Sequence, residues 1–173
     1  MVRPSKSVFL GFTFWKSKDG WKPKPANDRK AKLYDKTREI LCRKRAAAIP
    51  LAVTFHRLNW LIRGWVNYFG IGSLKGFMQE YSPWMRHKVR VVILKQWKKP
   101  KTIYRNLQKL NRIGKCGFSD EDIFKVANSR LGWYRRCSGD VINYALSPKI
   151  LGRETKDRPG LVDPLAYYLA RRT

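Results

Sequence analysis

Between Thr54 and Gly72 the apolar residues fall at Phe55, Leu58, Leu61, Ile62, Trp65, Val66 and Phe69. On a 3.6-residue repeat these positions form one stripe, which predicts a long amphipathic helix. Thr54 is the expected cap, Pro50 helps to fix the entrance, and Gly70 and Gly72 suit a left-handed exit. Arg57, Arg63 and Asn67 mark the opposite face, with Arg63 and Asn67 one helical turn apart. Each large side chain buried along the stripe stabilises by about 1.5–3 kcal/mol. Helical neighbours must cover it, so the segment predicts a bundle.

The pattern on either side supplies those neighbours. Val8 to Trp15 is aromatic and β-biased, and Lys18-Asp19-Gly20 is a turn signal, which together predict a hairpin. Lys22-Pro23-Lys24-Pro25 reads as an extended linker or a last edge strand. Asn27 is the expected cap of a helix to about Arg45, with Leu33, Thr37, Ile40 and Leu41 inward and Arg43-Lys44-Arg45 at its end, where the helix dipole favours cations. After a short turn or helix over 73–80, Ser82-Pro83 has the form of a helix start for Trp84 to Lys98. Met85, Val89, Val92 and Trp97 are its expected inner face, with Arg86, Lys88, Arg90 and Lys95 around them. A helix from Thr102 to Asn111 follows the Lys98-Lys99-Pro100-Lys101 corner. Ser119-Asp120-Glu121-Asp122 is a helix start. A compact basic, aromatic turn or helix is expected over 128–137, a short apolar helix over 141–146, a polar loop over 152–160 and a final helix over 161–170, whose Tyr167 and Tyr168 pack onto the second basic unit.

Charge changes the picture most. The 173 residues carry 38 Lys and Arg against 12 Asp and Glu, a net +26 that far exceeds what solubility requires. A chain with this surplus needs an anion, and a phosphate backbone is favoured over an anionic membrane surface. A hydrophobic content of 43% excludes a merely solvated tail, and seven Trp offer rings for stacking as well as for a core.

Several chemistries find no support. Cys42, Cys116 and Cys137 are odd in number and form no C-x-x-C pair, and His56 and His87 have no second ligand at helical spacing. No cofactor is expected. The Val91–Leu94 aliphatic run is too short to span a bilayer and no signal peptide is visible, so a reducing, cytoplasmic location without a membrane is the expectation. Two-metal phosphoryl transfer needs paired carboxylates, whereas the acidic cluster Asp120-Glu121-Asp122 sits where a helix start wants it. The sequence on its own does not read as an enzyme.

The run from Lys95 to Leu107 is different in kind. From Tyr81 to Ser119 there are eleven Lys or Arg and no acidic residue. Cations across a proline-fixed corner make an ordered ridge able to follow a phosphate backbone. In the 128–136 stretch, Arg130, Arg135 and Arg136 suit phosphate clamping, while Trp133 or Tyr134 either stacks on a base or fills a core.

Arg63-Gly64-Trp65-Val66-Asn67-Tyr68-Phe69, then Lys95-Gln96-Trp97-Lys98-Lys99-Pro100-Lys101-Thr102, then Arg105-Asn106-Leu107, resembles the maturase-specific domain of group II intron-encoded proteins, also called domain X or the thumb. Ala127-Asn128-Ser129-Arg130 with Gly132-Trp133-Tyr134-Arg135, and Gly160-Leu161-Val162 with Tyr167-Tyr168, resemble the DNA-binding region that follows it. Phe9-Leu10-Gly11-Phe12-Thr13-Phe14 resembles the strand closing the reverse transcriptase palm, although the palm's Tyr-x-Asp-Asp turn is missing here.

The resulting expectation is a mainly α fold. It comprises a hairpin and linker over 1–26 left from a palm sheet, a three-helix thumb-like bundle over 27–99, and a basic helical nucleic-acid-binding unit over 100–173. The resemblance implies a maturase-type RNA-binding role in intron folding and splicing, with mobility as an extension, without polymerase activity. Its partners are a structured group II intron RNA, with target DNA and a separate palm chain as further ones. The candidate contact residues are Arg43, Lys44, Arg45, Arg63, Lys95, Lys98, Lys99, Lys101, Arg105, Asn106, Arg130, Trp133, Arg135 and Arg136. A reverse transcriptase fragment needing a palm in trans or degenerate, and a generic structural RNA-binding protein, are the alternatives.

Overall fold

The computed structural model describes residues 7–172, and they are mainly helical after an N-terminal hairpin. Strands β1 (Phe12–Ser17) and β2 (Gly20–Pro25) precede α1 (Asn27–Ile40), α2 (Arg43–Ala46), α3 (Leu51–Phe69), α4 (Lys75–Trp97) and α5 (Pro100–Gly114). Short helices complete the chain: α6 (Asp120–Ala127), α7 (Trp133–Arg136), α8 (Asp140–Ala145), α9 (Pro148–Gly152) and α10 (Pro164–Ala170). They form two compact units interleaved in sequence, one from the residues up to Ile40, Arg57–Pro83 and Val162 onward, the other from Leu41–His56 and Trp84–Leu161. This division differs from boundaries after residues 26 and 99, because α3 and α4 each contribute to both units. At 23 residues, α4 is about 34 Å long, the span of a whole small domain.

In the first unit the hairpin pairs Phe12 with Pro25 through to Ser17 with Gly20, so the 22–25 stretch is a paired strand. Both strands of a two-stranded ribbon are edges, which is where proline is tolerated. Pairing starts at Phe12 and not at Val8, because Leu10 (φ 50°) and Gly11 (φ 82°) turn the chain just before it. Phe12 packs on Phe69 with ring centres 5.1 Å apart. The carbonyl of Pro23 accepts from Ser73 N at 2.9 Å, and a Cβ on Gly72 would come within 2.9 Å of that same oxygen. Gly72 is therefore a close-approach glycine. Neither it nor Gly70 is left-handed.

Leu33 and Thr37 of α1, the α3 stripe residues Leu58, Ile62 and Val66 and the α4 residues Met78 and Tyr81 are all buried, and the Thr37 hydroxyl lies 2.6 Å from that of Tyr81. Asn27 is the first residue of α1 and not its cap, and the helix ends at Ile40, short of Arg45. The start expected at Ser82-Pro83 is absent, since Pro83 lies inside α4 and the buried Ser82 hydroxyl accepts from Leu165 N at 3.2 Å. Asp163 caps α10 by accepting from Ala166 N at 3.0 Å. The Tyr168 hydroxyl donates to Gly72 O at 3.2 Å and accepts from Leu74 N at 3.3 Å. Tyr167 donates to Asn67 Oδ1 at 3.0 Å. The final helix thus closes the first unit, not the second, because its tyrosines find their partners there.

In the second unit α3 begins directly after Pro50, whose carbonyl accepts from Val53 N and Thr54 N. Thr54 is consequently buried within the helix instead of capping it. Gln96 Nε2 donates to Ala46 O at 3.0 Å and Ile49 O at 2.8 Å, tying the end of α4 to α2 and the turn after it. Met85, Val89 and Val91–Leu94 are buried along α4, Ile103 and Leu107 along α5, and Ile123, Ala127, Ile142 and Ala145 on α6 and α8. Ser119 caps α6 by accepting from Asp122 N at 3.1 Å, as its sequence predicts. Arg158 lies 4.9 Å over the Phe55 ring and donates to Leu151 O at 3.1 Å.

Candidate nucleic-acid interface

The second unit carries most of the candidate cations on three short stretches. Lys98 turns the chain out of α4 with φ 56°, and Lys99 N donates back to Trp97 O at 2.6 Å. Lys99 is then the N-cap of α5, and Pro100 occupies its first turn, where a missing N–H costs nothing. Both lysines and Lys101 are exposed. Backbone geometry therefore fixes the corner, leaving three ammonium groups in solvent.

On α5 the ridge continues. Lys101, Arg105, Lys109 and Arg112 recur at spacings of four, four and three and share one exposed face. Ile103 and Leu107 on the opposite face are fully buried, which sets the helix rotation. Among the described residues none of these six cations is paired with a carboxylate. Asn106 is half-buried on the flank and Lys95 half-buried on α4. Arg43, Lys44 and Arg45 are all exposed on α2, whose chain breaks from α1 at Cys42 with extended backbone.

The 130–136 cluster divides by role. Arg130 and Arg135 are exposed, whereas Trp133 and Arg136 are half-buried. The Arg136 guanidinium lies 4.9 Å over the Trp133 ring and donates to Ser129 O. Its Nε is buried without a partner among the described residues, and burial lowers its pKa. Arg136 therefore holds the turn. Lys88 spans Trp84 and Tyr134, 5.9 and 5.2 Å from their ring centres. Arg63 belongs to the first unit and is exposed on α3.

One expected surface cation is not on the surface. Arg90 is 8% exposed and donates to Leu146 O at 3.0 Å and Asn143 Oδ1 at 2.6 Å. Conversely, Trp60 is 79% exposed. It lies off the apolar stripe at three-residue spacing from Arg57 and Arg63, and that placement is a signal the sequence already contains.

The Asp120-Glu121-Asp122 group does helix-start work. Ser119 donates to Asp122 Oδ2 at 2.7 Å, and this bond holds the carboxyl below the usual carboxylate range. Cys137 is buried, which pushes its thiol up to about 12 and keeps it protonated. Among the described residues no three His, Cys, Asp or Glu group as metal ligands, and no helix is long and apolar enough to cross a membrane.

No curated protein matches the chain. Residues 30–111 match the family model of the group II intron, maturase-specific domain. The match runs from within α1 to within α5, so it includes Arg63, the α2 cations and the corner ridge, and it excludes Arg130 to Arg136. A helical fold and a fixed row of cations thus lie inside the stretch, residues 30–111, that carries the group II intron maturase-specific domain.

Proposed function

We propose that this protein binds structured RNA of the group II intron class and assists its folding for splicing, while the RNA performs the transesterifications. The observation that carries this reading is the ridge from Lys98 to Arg112, with unpaired cations in register on a rotation-fixed helix beyond a backbone-fixed corner. Such a row reduces repulsion between RNA helices by replacing condensed counterions, a contribution that salt weakens. Arg43, Lys44, Arg45, Arg130 and Arg135 are further exposed cations of the second unit, with target DNA as a further polyanion for the Arg130–Arg135 stretch. The maturase-specific character of the matched domain and the helix-start role of the acidic cluster support a binding function over a polymerase one.

The test replaces Lys98, Lys99 and Lys101 together with Gln and follows binding to a self-splicing group II intron RNA, a duplex RNA and a duplex DNA across a salt series. Affinity should weaken at low salt, and the slope of log affinity against log salt should fall by up to about three. An unchanged slope in a folded variant overturns the ridge. Equal affinity for all three polyanions overturns the intron assignment.

A further inference from the structure

Within the first unit, a cleft of about 630 Å³ opens between α1 and α3, in the size range of sites that take small organic ligands, about 300–1,000 Å³. Leu33, Leu61 and Trp65 floor it, Trp60 and Tyr68 form its α3 wall, and Arg29, Lys32 and Lys36 follow α1 along the other. Among the described residues no carboxylate lines it. Arg29 keeps an exposed contact to Asp28 at 3.3 Å, while Lys32 and Lys36 are exposed on one helical face.

Three features of this cleft bear on what it receives. Trp60 is 79% exposed, so its ring contributes little to the core. Tyr68 is 52% exposed yet held in place, since its hydroxyl donates to Leu10 O at 3.0 Å and its ring stacks on Phe12 at 6.0 Å. Gly64 sits mid-helix, one turn after Trp60, and a Cβ there would meet nothing within 4 Å. A glycine in a helix interior costs about 1 kcal/mol relative to alanine. No contact among the described residues requires one here, so the position keeps the wall of the cleft clear.

We infer that this cleft receives an unpaired nucleobase of a single-stranded RNA segment, stacked on Trp60, with the flanking phosphates on Arg29, Lys32 and Lys36. An aromatic wall opposite a row of cations, with no acid between, is the arrangement that single-strand recognition uses. An apolar peptide would leave the three cations unused. The inference rests on the RNA-binding reading but places a second site in the other unit, with a different RNA feature as its ligand.

The test uses the full chain, an unstructured oligoadenylate and a blunt duplex RNA, each followed by fluorescence anisotropy. Trp60→Ala should weaken oligoadenylate binding between about fivefold and about a hundredfold, from the stacking of one base. Trp60→Phe should restore part of it, and duplex affinity should not move, since paired bases are not available. Gln at Lys32 and Lys36 should weaken oligoadenylate binding and lower its salt slope by about one. If Trp60→Ala leaves the oligoadenylate affinity unchanged while duplex RNA still binds, the cleft serves another polypeptide or nothing, and the inference falls while the ridge stands. If the unaltered chain binds neither RNA, both readings fall together.

Discussion

Arg90 Nη1 lies 2.6 Å from Asn143 Oδ1, and the same guanidinium reaches Asn143 O at 3.3 Å and Leu146 O at 3.0 Å. One buried side chain thus satisfies acceptors at the C-terminal end of α8, where helix carbonyls lack intrahelical partners. A cation there is also favoured by the helix dipole. The residue belongs to the architecture of the second unit, although it sits in the most basic stretch of the chain.

Arg90→Met, which keeps the stem and removes the donors, should destabilise by about 2 kcal/mol because buried acceptors lose a charged donor. Urea unfolding measures this. The salt slope of RNA binding should not change. A slope reduced by about one with stability intact would make Arg90 a phosphate ligand instead.

Arg135 and Arg136 are adjacent in sequence but should separate cleanly. Arg135→Gln should lower the salt slope by about one and leave the melting temperature alone, since its side chain is exposed. Arg136→Gln should cost about 1–2 kcal/mol by releasing the Ser129 carbonyl and the Trp133 face. Thermal melts beside salt titrations of both variants decide the assignment, and a reversed pattern would exchange their roles.

Stability should depend on pH through His87. Its Nε2 is buried without a partner among the described residues, and its ring lies 4.2 Å from that of Tyr134. Burial, followed by the charges of Arg90 and Lys88, lowers its pKa from 6.5. The folded state therefore stays neutral at pH values where the unfolded chain already binds a proton. Stability should fall as pH drops below about 6.5 and level off once pH passes below the folded-state pKa. In urea titrations across that window, His87→Phe should lose less stability than the unaltered chain. An equal loss in both would place the titrating group elsewhere.

Periodicity made the α3 stripe legible and capping chemistry the Ser119 helix start, because each depends on residues within one or two turns, whereas the helix expected from Thr102 begins earlier, at Pro100. Pro83 was not legible in this way. Ser-Pro has the form of a helix start, and only the tertiary role of the Ser82 hydroxyl toward Leu165 shows why the helix runs through it. Tyr167 and Tyr168 fail for the same reason, since Asn67, Gly72 and Leu74 lie about 100 residues earlier. Arg90 looks like its neighbours in sequence, and only the carbonyls at the end of α8 set it apart. Among the candidate contacts, the Lys98–Arg105 corner reads directly from charge and proline, but nothing local distinguishes Arg136 from Arg135.

The Tyr168 hydroxyl joins residues nearly a hundred positions apart, and the unit it closes draws on three separate lengths of chain. During synthesis the hairpin, α1 and the middle of α3 leave the ribosome long before residues 162–172 exist. Until those residues emerge, the Leu74 amide and Gly72 carbonyl lack their partner and the apolar face behind them stays uncovered. Completion of the first unit is thus a late event tied to translation, and nascent chains arrested before Val162 should be the species that chaperones hold.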